Sequence, residues 1–129
     1  MNRLVNPEAL APPVGFSHAV ETTGERTLYV AGQLGQRADG SLADSLVDQF
    51  RQALVNVAAC METAGFPPES LVRLVIYTTD VTAYKAELKE LGRVYREVFG
   101  RHFPAMALFG VTELFEPGAR VELVATASA

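Results

Sequence analysis

The chain reads as an α+β (mixed α/β) domain with the element order ββ-α-β-α-ββ. Three observations predict it. Two stretches carry apolar residues at helical spacing, five shorter ones are rich in β-formers, and glycine and proline punctuate between them. The 129 residues are one domain, 1–129, large enough for a core without staples.

Asn6-Pro7 and Pro12-Pro13 mark an irregular entry. Phe16 to Glu21 alternates weakly, Thr22-Thr23-Gly24 is a turn cluster, and Thr27 to Ala31 is β-rich, so the two segments are expected to pair as a hairpin. Asp44 or Ser45 can cap a helix whose face is Leu46, Phe50, Leu54, Val57 and Met61. Gly65 closes it and Pro67-Pro68 forbids its continuation. Leu71 to Thr78 is apolar on both faces and reads as a strand covered on two sides. Thr82 can cap a second helix with Tyr84, Leu88, Leu91, Tyr95, Val98 and Phe99 on its apolar face, ended by Gly100. Pro104 forces Phe103 into an extended conformation. Ala105 to Val111 is then a strand, Pro117-Gly118 a turn, and Arg120 to Thr126 the last strand. Strand-helix-strand units require right-handed crossovers, so the sheet is mixed, with two helices on one face. Its other face needs a cover that further subunits would supply.

Bulk composition narrows the function. Hydrophobic residues make up 49%, high for a small monomer, which favours oligomerisation. The net charge of −4 and the lack of a basic run argue against nucleic acid and anionic membranes. No apolar stretch reaches membrane-spanning length. One cysteine, Cys60, excludes an intramolecular disulfide and fits a cytoplasmic setting. The two histidines, His18 and His102, lack cysteine partners and read as surface residues, so no metal site is expected.

Glu122 stands out, because Arg120 to Ala125 otherwise reads as a buried strand. A buried carboxylate is costly unless paired, neutralised or used. Glu122 therefore either faces solvent, with Arg120 two residues away on the same strand face as its partner, or lines a pocket.

Several segments, in order, resemble the Rid (YjgF/UK-type) family of imine deaminases. They are Gly15 to Val20, Val30-Ala31-Gly32-Gln33, Gln49 with Ala53-Leu54 and Asn56-Val57, and Ala64-Gly65, followed by Tyr77 to Asp80, Tyr95 with Phe99, Phe103-Pro104-Ala105, and Val121-Glu122. The resemblance implies a chorismate-mutase-like fold, a homotrimer, and small-molecule sites in clefts between subunits, with no cofactor. It makes Glu122 the acid that positions or activates water. It also exposes departures. The arginine that grips the substrate carboxylate in deaminating members corresponds to Met106, which has neither charge nor donor. A tyrosine near the site corresponds to Phe16, an asparagine to Gly92, and a second acid to Val124. The expected site is thus Glu122 as catalyst, with Phe16, Gly32, Met106, Ala107 and Arg120 around the substrate. Arg120 or Arg101 is a candidate for a displaced anion clamp. The implied function is hydrolysis of a small imine or enamine-like C–N compound other than a standard 2-iminoacid. The alternative is a non-catalytic trimeric module that binds a small ligand or a protein.

Overall fold

The computed structural model describes residues 2–129. Ten elements follow one another: β1 (Asn2–Val5), β2 (Ala19–Thr22), β3 (Thr27–Leu34), α1 (Leu46–Thr63), a 3-10 turn (Pro68–Ser70), β4 (Leu71–Thr78), α2 (Val81–Ala86), α3 (Leu88–Phe99), β5 (Ala105–Gly110) and β6 (Val121–Ser128). Four strands form the main sheet in the order β3-β6-β4-β5, while β1 and β2 form a separate two-stranded ribbon. The β4–β5 pair is parallel and the others are antiparallel, so the sheet is mixed as expected.

The predicted hairpin between Phe16–Glu21 and Thr27–Ala31 does not form. β2 pairs with β1, a strand that the sequence reading did not assign, and β3 pairs with β6. The physical reason lies at the start of β3. Arg26 and Ala129 exchange both backbone hydrogen bonds, at 2.9 and 3.1 Å. Gly24 lies against Ala129 so closely that a Cβ would sit 2.6 Å from its carbonyl carbon. The chain end thus fills the place beside β3 that a hairpin partner would take, and β6 offers an eight-residue ladder against the four residues of β2. The ribbon is tied down elsewhere: Ser17 bridges Ala105, and Thr22 donates a hydroxyl hydrogen bond to Ser128 at 2.7 Å.

The helices begin and end where local chemistry requires. Ser45 caps α1, its hydroxyl accepting the Asp48 N–H at 3.0 Å. The next helical stretch is two helices, broken at Glu87 (φ −107°, ψ 16°). Its cap is Asp80 rather than Thr82, the Asp80 carboxylate accepting the Ala83 N–H at 2.9 Å. Gly65 and Gly100 take positive φ after the helices they end, which other residues adopt only with strain.

One face of the sheet packs against α1 and α3. Leu71, Leu74 and Ile76 of β4 and Val121, Leu123, Ala125 and Ala127 of β6 are buried there with Phe50, Leu54, Val57, Val94 and Tyr95. The alternate positions of β6, Glu122, Val124 and Thr126, lie on the opposite, open face and are half-buried. β4 carries apolar residues on both faces: Val75, on the open side, is only 7% exposed. Tyr29 and Phe109 stand exposed on that face, at its two edges. His102 is not a surface residue. It is half-buried, with Nε2 2.7 Å from the Leu71 carbonyl, and its own carbonyl accepts the Tyr95 hydroxyl at 2.6 Å. No helix among the described residues is long and apolar enough to cross a membrane.

Candidate functional site

Glu122 lies in the second position of β6, on the open face, between Leu34 of β3 and Tyr77 of β4. The β3–β6 register shifts between Val30 and Gln33, and Gly32 sits in this irregularity. A Cβ at Gly32 would be 2.8 Å from Glu122 Cδ and 2.9 Å from Oε2. The carboxylate therefore rests on bare backbone, and only glycine leaves it room. To its other side Tyr77 stacks on Phe109 with ring centres 5.9 Å apart, forming an aromatic shelf. Glu122 makes no ion pair among the described residues, where the only paired cations are Arg3, Arg51 and Arg93. The expected partnership with Arg120 is absent. Arg120 precedes β6, and its backbone is fixed instead: its N–H donates to the buried Gln49 amide oxygen at 2.8 Å, and its carbonyl accepts the Thr78 hydroxyl at 2.9 Å. The carboxylate is free to accept hydrogen bonds from a ligand or from water.

Met106 is on β5, beside Leu74, and packs toward the helices. It lines a cavity of about 540 Å³ between α3, α2 and the loop at Val14-Gly15. Phe50, Tyr84, Leu88, Leu91, Tyr95 and Phe103 provide the rest of its apolar wall. Gly92 lines the same cavity, so two positions singled out from the sequence are brought together. Three cations, Lys89, Arg96 and Arg101, also line it, and no acid does. Tyr84 is 7% exposed, and its hydroxyl has no hydrogen-bond partner among the described residues. Burial pushes its pKa up to about 12, so it remains a neutral donor at any ordinary pH.

The six expected site residues thus fall into two sets. Gly32 and Glu122 lie at the β3–β6 side of the sheet, with Arg120 just before β6. Met106 and Ala107 lie on β5, the opposite edge, and Phe16 is beside them because Ser17 bridges Ala105. Ala107 is two strands from Glu122, about 10 Å at ordinary strand spacing. Met106 and Glu122 also face opposite sides of the sheet. A single chain does not assemble them into one cleft.

The sequence model of the Endoribonuclease L-PSP family matches residues 6–129. The chain belongs to the Rid/YjgF family. A RutC family protein from Aquifex aeolicus (strain VF5) is 33% identical over 97% of this chain and 98% of its own length. The 2-iminobutanoate/2-iminopropanoate deaminase of Capra hircus is 33% identical over 94% of this chain and 82% of its own. Among solved structures, the Rid protein YyfB of Yersinia pestis superposes with a TM-score of 0.90 at 34% identity, covering 99% of this chain and 98% of that one.

Within the Rid fold, residues that the motif reading passed over now acquire a place. Lys89 and Arg96 flank Gly92 at spacings of three and four, so all three share one helix face. That spacing was a readable signal. The contribution of Tyr84 was not, because nothing local distinguishes a cavity-lining tyrosine from a core one. Among the described residues no group of three or more histidine, cysteine, aspartate or glutamate side chains is placed to hold a metal ion.

Proposed function

We propose that the chain is a cofactor-independent hydrolase of a small imine or enamine-like C–N compound, with Glu122 directing water at the C–N carbon. The observation that carries this reading is the Glu122 carboxylate, seated on Gly32, without a cation, beside the Tyr77–Phe109 shelf. A carboxylate held so is suited to orient a water molecule or to take its proton. The deaminase relatives support the reaction class. Met106 lacks the charge that would clamp a 2-iminoacid carboxylate, so the substrate differs from theirs in how it is anchored. The cleft is completed by a second subunit of a homotrimer, the β5 edge of one chain meeting the β3 edge of the next. That arrangement would join the two half-sites that one chain keeps apart.

The test is ammonia release from a panel of imines, generated in situ, with and without a carboxylate. Wild-type protein should turn over at least one of them. Glu122→Gln should lower that rate by about 100-fold or more, the usual scale of a general base. Undiminished turnover by Glu122→Gln would falsify the mechanism.

A further inference from the structure

We propose that a second cavity, at the end of the sheet away from Glu122, binds a small primary ammonium ion. Its N–H groups are held by the side-chain oxygen of Asn2 and the carboxylate of Glu69, and its alkyl chain lies against Leu4 and Pro67. The site is separate from the Glu122 half-site. Glu122 lies opposite Tyr77, whereas Leu71, the residue bonded by His102 of this cavity, is six residues back along β4. Six residues of strand span about 20 Å.

The first support is Asn2. Its Nδ2 donates to the Ser128 carbonyl at 3.0 Å, which fixes the amide's orientation. Its Oδ1 is therefore the acceptor, and this atom is buried without a hydrogen-bond partner, the one such side-chain atom among the described residues. Buried polar atoms are nearly always satisfied, and leaving one unmade is costly. Asn2 lines the cavity, so a donor placed there would complete it.

The second support is how the other polar groups of this wall spend their hydrogens. The Ser70 hydroxyl, on a residue only 3% exposed, donates to the Pro67 carbonyl at 2.6 Å. His102 Nε2 meets the Leu71 carbonyl at 2.7 Å, so Nε2 carries the proton and Nδ1 of the neutral ring is left as an acceptor. These donors serve the fold's own carbonyls, and what they leave over can only accept. The third support is charge. Glu69 lines the cavity, and among the described residues neither lysine nor arginine does. Glu69 is exposed and makes no ion pair within those residues. A wall of acceptors with one carboxylate fits a cation that donates several hydrogen bonds, which an ammonium does. Leu4 and Pro67 give the apolar surface for a short chain, and about 580 Å³ is within the ordinary range for small-molecule sites.

The test uses protein with isotope-labelled histidine. There are two histidines, His18 and His102, and His102 alone lines this cavity, so a His18→Gln variant assigns the signals. n-Butylammonium chloride is titrated at about pH 8.5, where alkylamines are charged and imidazoles ordinarily neutral. Tetramethylammonium chloride, a cation without N–H groups, is the control at equal ionic strength. The His102 signal should shift saturably with butylammonium and stay in place with tetramethylammonium, while His18 moves with neither. Asn2→Leu should weaken butylammonium by about tenfold or more, the scale of a lost hydrogen bond to a charged group. Should Asn2→Leu melt well below wild type, Glu69→Lys decides instead. That position is exposed and free of ion pairs, so the variant should fold, and its like charge should weaken butylammonium at least fivefold. Glu122→Gln should bind butylammonium as wild type does, which separates this proposal from the hydrolytic one. The proposal is overturned if the His102 signal does not saturate, if tetramethylammonium shifts it as butylammonium does, or if Glu69→Lys or a folded Asn2→Leu binds butylammonium unchanged.

Discussion

Gly32 and Glu122 behave as one unit at the residue scale. Any side chain at position 32 enters the space of the Glu122 carboxylate, 2.8 Å from its Cδ. The clash is with the flexible end of a side chain, so it moves the carboxylate rather than the fold. Gly32→Ala should therefore melt close to wild type yet lose most turnover, and a variant with full activity would show that the carboxylate position is unimportant. Met106 allows the converse test. Met106→Arg restores a charge-assisted clamp, worth on the order of 1.5–3 kcal/mol, so affinity for 2-iminoacids should rise by roughly 10- to 150-fold. Competition binding would show it, and no gain would mean that the β5 edge has diverged beyond one residue.

Gln49 links elements that would otherwise drift. It is 1% exposed on α1, and its amide reaches the Ala43 and Gly118 carbonyls at 2.9 and 3.0 Å and the Arg120 N–H at 2.8 Å. Those bonds position the loop that launches β6, and so Glu122. Gln49→Leu keeps the volume but removes three hydrogen bonds to backbone, and it strands the buried Ala43 carbonyl, a group that costs about 1–3 kcal/mol when unsatisfied. A loss of at least 2 kcal/mol is expected in urea unfolding, and a change under 0.5 kcal/mol would show that the loop is held by something else. The same elements show what could be read from the sequence. Periodicity located α1, β4 and β5 well, because each is bounded by glycine, proline or a cap and is set by its own pattern. The pairing of β3 was not legible. It depends on β6, whose residues lie about a hundred positions away, and local turn chemistry at Thr22-Thr23-Gly24 pointed to the nearer partner. The split at Glu87 was hidden because Tyr84, Leu88 and Leu91 continue a helical period across it. Of the site, Glu122 and Gly32 were legible as a pair of motifs, and their contact needed the strand irregularity between Val30 and Gln33. Of the two alternatives for Glu122, the ion pair with Arg120 is the one not found, because β6 begins one residue later, at Val121.

For the whole molecule, the division of the site between two sheet edges makes a strong demand. If rings of subunits complete it, light scattering should give three chains per particle, and a stable monomer would remove the cleft. Two inactive variants should also rescue one another. Glu122→Gln spoils the β6 side and Ala107→Trp spoils the β5 edge. After mixing in equal amounts and reassembly, about a quarter of the interfaces in a cyclic assembly pair an intact β5 edge with an intact Glu122. Activity should return to about that fraction, and none would return if each chain held a complete site. The strand order has one more consequence, for how the molecule is made. β6 lies between β3 and β4, yet both are synthesised before it. The middle of the sheet must therefore remain vacant while its flanks already exist, and two apolar strand edges wait for an insert. Contacts so distant in sequence form slowly. A nascent chain halted before Val121 would present that gap to its neighbours, which makes interrupted synthesis the moment of greatest risk of aggregation for this protein.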